Sequence, residues 1–492
     1  MARSAQGLVL VLALDVGTTG VRALLLDETG SVLGQAYREA LPSCPAPGLV
    51  EHGLDALFSA VRDVIRSVAT GLRPADVRGV GLTTQRSTAV VWDAASGHPC
   101  GVGLSWQDTR TQDRCRELMA EGLLVTPLMA ASKIEWLLDR VDPGRDDVRA
   151  GRLRCGTLDA WLAARLTGGR VQATDPSNAS CTGLYDFLKG TWNPAALEAL
   201  RIPEPAMPAL VDSGGILGEL DDDLGIGPAP LAAIVGDQQA AMMGHLRLAP
   251  GEAKITYGTA AMIDLNVGPE PLFSMHGAYP LVLWQRDGWR TFCLEGTAIT
   301  AGAAVLWLRD GLGIIADAED SAALAASVPD SGDVWAVPAF QGLGTPYLDP
   351  GARAVIGGLS RATTRAHVVR AVLEGIAWRC REVYDALRLD SPHSPPASLR
   401  ADGGAARNDV LLQAQADALG LPVERPVVLD AAALGAAYLA GLATGVWAST
   451  DDLAHVWRCE RVFEPHLDAE ERASRFARWQ RHVDAAREQE GA

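Results

Sequence analysis

Apolar and polar positions alternate in blocks along the first part of the chain. An apolar run at residues 8–14 leads to Asp15 and the turn Gly-Thr-Thr-Gly at residues 17–20, and a second apolar run covers residues 21–26. Apolar runs on either side of a glycine turn predict a β-hairpin with buried strands. Its tip offers glycine N–H groups and threonine hydroxyls beside one buried carboxylate. That combination suits phosphate oxygens and a divalent cation, and an ordinary glycine turn is the alternative.

The pattern after the hairpin predicts further strands and one helix. Residues 31–37 are expected to form a third antiparallel strand, and residues 57–68 carry apolar side chains at helical spacing. Two more strands are expected at residues 77–82 and 89–92. Strands interrupted by a helix in this way indicate an α/β domain with mixed strand directions.

The same order of elements restarts near residue 251. An apolar strand is again followed by glycine and threonine, and another strand, a long helix and a glycine turn come later. We therefore predict a duplicated α/β fold with a cleft between the two halves. The segments concerned are residues 255–259, 262–267, 367–387 and 402–404.

Two apolar segments have a membrane-related alternative. Residues 1–14 contain Arg3 and an apolar run, as a signal peptide does, but the run continues into the hairpin and no small-residue cleavage site follows it. Residues 431–446 are nearly uncharged, but alanine and glycine dominate them and they are short for a membrane span. We predict a helix buried on all sides for the second segment, and no membrane insertion for the chain.

Length, charge and cysteine content narrow the class of protein. A chain of 492 residues is expected to form two or three domains. The net charge of −17 and the lack of a basic cluster argue against binding to nucleic acid or to anionic membranes. The eight cysteines are scattered without close pairs, which is typical of reduced thiols in a cytoplasmic protein.

Several ordered blocks of the chain resemble the FGGY family of carbohydrate kinases, and within it the glycerol kinases most closely. The resemblance runs from residue 8 to about residue 450. It implies two ribonuclease-H-like domains of the actin/Hsp70/hexokinase type that close over substrate and MgATP. Residues 1–246 are the expected substrate side with the catalytic aspartate and first phosphate loop, and residues 247–492 the nucleotide side. The blocks are Asp15-Val16-Gly17-Thr18-Thr19, Thr84-Gln85-Arg86, Ser105-Trp106-Gln107-Asp108-Thr109-Arg110, Thr174-Asp175-Pro176-Ser177-Asn178-Ala179-Ser180, Gly236-Asp237-Gln238-Gln239-Ala240, Thr256-Tyr257-Gly258-Thr259 and Asp402-Gly403-Gly404-Ala405.

The resemblance implies a role for each matched residue. Asp237 matches the aspartate that accepts the proton of the attacking hydroxyl, and a helix cap is the alternative reading of this residue. Asp15 matches the aspartate that organises Mg²⁺. The implied ATP-binding residues are Thr18, Thr19, Arg22, Gly258, Thr259, Gly302, Gly404 and Asn408. The implied substrate-binding residues are Arg86, Ser87, Trp106, Leu128, Asp237, Gln238 and Met262.

Three substrate positions depart from the glycerol pattern of the family. Ser87 stands where a glutamate is expected, Leu128 where a tyrosine is expected, and Met262 where an aromatic residue is expected. Losing a hydrogen-bonding group shifts discrimination between substrates strongly, and methionine makes a flexible wall. The first expectation is therefore an ATP-dependent kinase that converts glycerol to glycerol 3-phosphate, and the alternative is a kinase for a tetritol, pentitol or pentulose.

Two further expectations come from the same resemblance. On the nucleotide side, Leu306 and Arg407 depart from the family pattern, which leaves the choice of base open. Relatives in this family commonly associate as dimers or tetramers, but the pattern of this chain indicates no interface. A non-catalytic nucleotide- or sugar-binding module is the remote alternative. It is remote because this chain has Asp237 in the acceptor-site motif, and such a module does not need that residue.

Overall fold

The structure is a computed structural model, and it describes residues 8–487 except for the side chain of Pro74. The first seven residues of the predicted N-terminal apolar segment lie outside the described residues. The chain divides into two compact units. Unit 1 comprises the chain up to Leu246 together with Leu281–Thr291 and Ala432–Trp457, and unit 2 comprises Arg247–Pro280, Phe292–Ala431 and the chain from Arg458 onward. The predicted domain bounds, residues 1–246 and 247–492, stay a prediction.

The elements before residue 247 contain the predicted hairpin, third strand and amphipathic helix. The strands are β1 (Leu10–Val16), β2 (Gly20–Asp27), β3 (Val32–Glu39), β4 (Glu51–His52), β5 (Val77–Thr84), β6 (Ala89–Asp93), β7 (Gly103–Leu104), β8 (Leu153–Thr157), β9 (Ala173–Thr174), β10 (Tyr185–Asp186), β11 (Thr191–Trp192), β12 (Ala209–Leu210), β13 (Gly214–Glu219) and β14 (Pro230–Gly236). The helices are α1 (Leu54–Ala69), α2 (Gln112–Ala120), α3 (Ala131–Val141), α4 (Asp146–Arg149), α5 (Leu158–Leu166), α6 (Pro176–Ala179), α7 (Pro194–Ala199) and α8 (Asp237–Gly244).

The elements after residue 246 follow a similar order. The strands are β15 (Ala253–Tyr257), β16 (Ala261–Gly268), β17 (Tyr279–Arg286), β18 (Trp289–Ala298), β19 (Trp335–Val337), β20 (Val355–Gly357), β21 (Leu399–Asp402), β22 (Val423–Pro426) and β23 (Cys459–Phe463). The helices are α9 (Gly302–Asp310), α10 (Asp320–Ala326), α11 (Arg365–Asp390), α12 (Asp409–Leu419), α13 (Ala431–Ala443), α14 (Thr450–Val456) and α15 (Ala469–Arg487).

The main sheet of unit 1 has the strand order β13-β14-β5-β1-β2-β3. Strands β1, β2 and β3 form an antiparallel meander, whereas β5 is parallel to β1 and β14 is parallel to β5. Apolar side chains of β1 and α1 lie in one hydrophobic core cluster, which explains the apolar run and the helical spacing seen in the sequence.

The main sheet of unit 2 repeats this arrangement. Strands β15, β16 and β18 are successive antiparallel neighbours, β21 is parallel to β15, and β22 is parallel to β21. In each unit, three antiparallel strands are thus followed in the sheet by two strands parallel to the first. The prediction of a duplicated α/β fold with mixed strand directions is confirmed.

Helix α13 is the alanine- and glycine-rich segment for which we predicted burial on all sides. A Cβ atom on Gly435 would lie 1.8 Å from the carbonyl oxygen of Ala240 in α8, and one on Gly81 would lie 2.1 Å from the carbonyl oxygen of Ala436. Glycine at these positions lets the backbones of α13, α8 and β5 approach closely, so the prediction of a buried, closely packed helix is confirmed. Within residues 8–487, no helix is long and apolar enough to cross a membrane.

Candidate active site

Three parallel strands of unit 1 end at the same edge of the sheet. Thr83 on β5 pairs with Asp15 on β1 at one side and with Val235 on β14 at the other. Asp15 therefore lies near the end of β1, while Asp237 comes directly after β14. The carboxyl ends of parallel strands are where α/β sheets bind their ligands. The fold thus brings two of the predicted carboxylates to a ligand-binding edge.

Arg86 follows β5 at this edge and pairs with Asp237. Arg86 Nε lies 3.1 Å from Asp237 Oδ1, and the two side chains are 12% and 27% exposed. Arg86 Nη1 also donates to Gln239 Oε1 at 3.4 Å and approaches Cys181 Sγ at 3.7 Å. The guanidinium is thus anchored to the fold while the carboxylate remains accessible.

The alternative in which Asp237 caps a helix is wrong. Helix α8 begins at Asp237 itself, its cap position is Gly236, and no side-chain hydrogen bond caps it. Asp237 Oδ1 instead accepts the N–H of the adjacent Gln238 at 2.8 Å. The carboxylate is therefore not committed to holding the first turn of the helix.

The block at residues 174–180 supports the backbone just before Asp237. The Ser177 hydroxyl donates to Asp175 Oδ1 at 2.7 Å and accepts the N–H of Gly236 at 2.8 Å. Asp175 is fully buried and also accepts the Ser213 hydroxyl at 2.5 Å. Burial raises the pKa of Asp175, and these hydrogen bonds oppose that rise. The motif therefore positions the junction between β14 and α8.

The tip of the first hairpin is held from three sides. The N–H of Gly17 donates to the carbonyl of Gly20 at 2.9 Å and closes the turn. Trp106 Nε1 donates to Thr18 Oγ1 at 3.0 Å, and Gln85 Nε2 donates to the Gly17 carbonyl at 3.2 Å. Thr19 is exposed. The predicted first phosphate loop is thus an ordered turn that presents a threonine to solvent.

A buried histidine stands behind this loop. His52 Nε2 lies 3.1 Å from Gln85 Nε2, the same amide nitrogen that donates to Gly17. Burial lowers the pKa of His52 to about 4. A neutral imidazole accepts the second N–H of the amide, so His52 helps fix the orientation of Gln85.

Asp15 and Arg22 are directly opposite each other in the hairpin. Both side chains are half-buried, so the expectation that the carboxylate is buried is corrected. Asp15 is the second-last residue of β1, next to the loop, and water reaches part of its side chain. Arg22 also lies 5.5 Å from the centre of the Tyr37 ring.

The surroundings of Asp15 fit a magnesium ion that arrives with phosphates. Such ions use one or two carboxylates and fill their other positions with water and phosphate oxygens. Within residues 8–487, no group of three or more metal-ligating side chains occurs. The hydroxyl of Thr83, the register partner of Asp15, is buried and has no hydrogen-bond partner among these residues. The single, partly exposed carboxylate of Asp15 fits an ion of this kind, which takes most of its ligands from water and phosphate.

Of the predicted substrate positions that depart from the family, two lie in unit 1 and differ in exposure. Ser87 is buried with φ 61°, and its hydroxyl donates to the carbonyl of Cys181 at 2.8 Å. Leu128 is 48% exposed. Neither side chain therefore presents a free polar group, in keeping with the loss of polar contacts expected from the sequence.

Gln238 is half-buried beside Asp237.

In unit 2, the predicted second phosphate loop follows β15. The carbonyl of Gly258 accepts the N–H of Gly302, and the carbonyl of Thr259 accepts those of Ala301 and Ala303. A Cβ on Gly302 would lie 2.5 Å from the Gly258 carbonyl oxygen. Gly258 and Thr259 of the predicted loop therefore lie beside Gly302, which was predicted to line the nucleotide, and the roles of all three stay predictions.

The glycine turn after β21 lies beside this loop. Thr256 on β15 pairs with Asp402 on β21, and a Cβ on Gly403 would lie 2.4 Å from the carbonyl oxygen of Tyr257. Gly403 has φ 84°, whereas a Cβ on Gly404 would meet no atom within 4 Å. Gly404 therefore leaves open space of the kind that a bound ligand can fill.

The two remaining predicted residues of unit 2 are engaged within the fold. Asn408 caps α12 by accepting the N–H groups of Val410 and Leu411, and its Nδ2 donates to Ser321 Oγ at 3.1 Å. Met262 Sδ accepts the Thr297 hydroxyl at 3.4 Å. The side chain of Asn408 is thus engaged within unit 2, and its role in nucleotide binding stays a prediction.

Several buried polar residues that support the site were not among those predicted. His52 and Lys133 are 2% and 0% exposed, and burial lowers the pKa of Lys133 to about 7 while the carboxylate of Asp108 opposes this. A sequence signal for Lys133 exists, because a lone lysine lies on the apolar side of a helix in a lysine-poor chain. His52 has no such signal.

Family models match most of the chain. The model of the N-terminal domain of the FGGY carbohydrate kinases matches residues 10–244, and that of the C-terminal domain matches residues 253–444. The chain belongs to the FGGY family of carbohydrate kinases. The predicted family and its ribonuclease-H-like two-domain fold are confirmed.

Relatives of this FGGY kinase support the same assignment. A glycerol kinase from Dechloromonas aromatica is 44% identical and covers 96% of this chain and 97% of its own. The structure of Plasmodium falciparum glycerol kinase with ADP has a TM-score of 0.90 at 27% identity and covers 98% of both chains. The structure of xylulose kinase from Rhodospirillum rubrum has a TM-score of 0.81 at 26% identity and covers 97% of this chain and 98% of its own.

Proposed function

We propose that this FGGY kinase transfers the terminal phosphoryl group of ATP to a hydroxyl of glycerol and forms glycerol 3-phosphate. The observation that carries the proposal is the pair of Arg86 and Asp237 at the carboxyl edge of the sheet, with Nε and Oδ1 3.1 Å apart. The similarity of nearly the whole chain to a curated glycerol kinase supports glycerol as the acceptor.

In the proposed mechanism, Asp237 accepts the proton of the attacking hydroxyl. Phosphoryl transfer passes through a loose transition state, so the proton leaves late and a carboxylate is a sufficient acceptor. Arg86 holds that carboxylate in place and donates hydrogen bonds toward the acceptor together with Gln238. Trp106 forms an apolar wall for the carbon chain. The catalytic power then comes mainly from positioning of the two reactants.

The two glycine-threonine turns are the proposed phosphate-binding elements. Backbone N–H groups and hydroxyls at Thr18, Thr19 and Thr259 are suited to phosphate oxygens. Gly404 leaves space for the nucleotide. Asp15 would hold a magnesium ion through water, and such an ion would neutralise phosphate charge when bound. We also propose a cytoplasmic location, which the eight free cysteines support.

A kinase for a longer polyol or a ketose is the second candidate. The hydroxyl of Ser87 donates its hydrogen bond to a backbone carbonyl, and the side chain of Leu128 has no polar atom. Two contacts to a triol that the glycerol pattern of the family would provide are therefore missing. Space opened at these positions suits a substrate with four or five carbons. The similarity of the fold to a xylulose kinase agrees with this candidate.

Coupled ADP release with MgATP tests the two candidates. The acceptors are glycerol, erythritol, xylitol, dihydroxyacetone, xylulose and ribulose, each assayed to saturation. We expect glycerol to have the highest kcat/KM. A four- or five-carbon acceptor that exceeds glycerol establishes the second candidate, and absence of ADP release with every acceptor contradicts both.

A further inference from the structure

Lysine is rare in this chain, and two of its three copies are fully buried. Of the 43 lysine and arginine residues, only Lys133, Lys189 and Lys254 are lysines. Lys133 and Lys254 are 0% exposed, whereas Lys189 lies at the surface. Removing an ammonium group from water is costly unless hydrogen bonds replace its hydration. In a chain that otherwise uses arginine, these two positions indicate a need for a compact cation with several donors.

Lys133 ties together two segments on the acceptor side of unit 1. From α3, its Nζ donates to the carbonyl of Ser105 at 2.9 Å and to the carbonyl of Pro127 at 3.0 Å. These carbonyls belong to the peptide bonds that lead into Trp106 and Leu128, both proposed substrate residues. One ammonium group therefore fixes the distance between the backbone just before Trp106 and the backbone just before Leu128.

The segment that carries Trp106 is anchored further. The carbonyl of Ser105 also accepts the N–H of Asp108 at 3.0 Å, and Trp106 Nε1 donates to Thr18. Loss of the bond from Lys133 would leave this segment held by its own turn, by the phosphate loop and by the N–H of Ser105, which donates to the carbonyl of Val50 at 3.0 Å. The spacing to Leu128 would then no longer be set.

Lys254 has a comparable place in unit 2, beside the proposed second phosphate loop. Its Nζ lies 2.7 Å from Asp264 Oδ2 and donates to Thr256 Oγ1 at 2.7 Å. Thr256 comes two residues before Gly258, and its cross-strand partners are Met262 and Asp402. A fully buried ion pair thus holds the strand position from which the loop departs.

We propose that Lys133 and Lys254 are positioning residues with separate effects on the two substrates. Lys133 fixes the positions of the two segments that carry Trp106 and Leu128 and line the acceptor. Lys254 fixes, through Thr256, the position of the loop that binds the nucleotide phosphates. This inference rests on the proposed polyol kinase function for the acceptor side. Its nucleotide side depends only on MgATP binding.

The test replaces each buried lysine by methionine, which keeps the length of the side chain and removes its donors. We expect Lys133→Met to raise the KM for the acceptor at least about tenfold, with the Kd for MgATP changed less than about twofold. For Lys254→Met we expect the reverse pattern. Lys189→Met is the matched surface control and should change neither constant. The Kd for MgATP is measured by calorimetry and does not require turnover.

A second variant keeps the test informative if Lys254→Met does not fold. Asp264 would be left as an unpaired buried charge, so Lys254→Met is combined with Asp264→Leu, because apolar residues often replace a buried ion pair without loss of stability. Equal changes in acceptor KM and MgATP Kd for both lysines, or no change in either, would overturn the inference. If the wild type uses no polyol, the proposed function fails, whereas the inference is still decided by which lysine variant loses MgATP binding.

Discussion

At the scale of single residues, Ser87 and Leu128 are the positions that bear most on the choice of acceptor. Ser87 lies at the end of the Gln-Arg block in a left-handed conformation, with its hydroxyl turned to the Cys181 carbonyl. Leu128 is an exposed apolar residue in the segment tied down by Lys133. In the proposed function, the polar contacts to the acceptor therefore come mainly from Arg86, Asp237 and Gln238.

We expect the double variant Ser87→Glu with Leu128→Tyr to lower the KM for glycerol about 30-fold. Two added hydrogen bonds of about 1 kcal/mol each have an effect of this order. The kcat/KM for xylulose should fall at the same time, because the larger side chains fill space. Steady-state kinetics on both acceptors measures this. Leu124→Tyr, on an exposed residue of the same region, is the control, and unchanged constants in the double variant would exclude both positions from specificity.

His52 is expected to make the fold sensitive to mild acid. Its pKa is about 4 in the folded protein, against an ordinary value of 6.5. Between these values the unfolded chain binds a proton that the folded chain does not, so stability is lost as the pH falls from 6.5 to 4. The contribution is about 3 kcal/mol at its limit.

Denaturant unfolding of the wild type and of His52→Gln at pH 7 and pH 4.5 measures this contribution. The variant lacks the titrating ring and should lose less stability between the two pH values. Equal losses in the two proteins would show that His52 is already protonated in the folded state at the lower pH.

At the scale of elements, the contact between α13 and α8 places the residue that begins α8. Gly435 brings the two helix backbones together, with no room for a Cβ beside the Ala240 carbonyl. Helix α8 begins at Asp237. A segment almost 200 residues away in the sequence therefore helps to place Asp237, the proposed catalytic carboxylate.

We expect Gly435→Ala to destabilise unit 1 by about 1–3 kcal/mol, because the added methyl forces the helices apart. In a helix without this contact, the same change would stabilise by up to about 1 kcal/mol, so the sign alone is informative. Thermal unfolding and kcat with saturating substrates measure the effect. Gly215→Ala, where a Cβ meets no atom within 4 Å, is the matched control, and a stabilised Gly435→Ala protein would contradict the packing argument.

Elements with strong periodicity were predictable from the sequence, and short ones were not. The hairpin β1–β2 and helix α1 carry long apolar patterns, so their type and approximate bounds followed from the residues. The four-stranded sheet β4-β7-β6-β8 was not predicted. Two of its strands, Glu51–His52 and Gly103–Leu104, are too short to show any alternation.

At the scale of the whole molecule, the repeated strand order explains why two similar turns occur about half a chain apart. In each unit the first strand is central and ends in a glycine-threonine turn. The sequence pattern predicted this duplication because in each half a strand is followed by a turn that contains glycine and threonine. The family resemblance, and not the pattern, supplied the roles of Asp15, Arg86 and Asp237.

What the sequence could not supply is the support beneath those residues. Some partners, such as Ser177 and Gly236, lie far apart in the chain. Others, such as Lys133 and Pro127, meet through a backbone atom, which the residue type does not reveal. Apart from Lys133, whose place on the apolar side of a helix is a signal, these polar residues give no local sign that they will be buried and hydrogen-bonded. The candidate substrate-binding residues could thus be named from motifs, whereas the side chains that hold their segments in place became visible only in the fold.

The most direct test of the account is ADP release by Asp237→Asn with saturating glycerol and MgATP, alongside MgATP binding by calorimetry. Asparagine keeps the shape of the side chain but does not accept the proton of the hydroxyl. We expect a loss of kcat of at least about 10³-fold with an unchanged Kd for MgATP. Turnover close to that of the wild type would contradict the central claim that Asp237 is the proton acceptor of an ATP-dependent kinase.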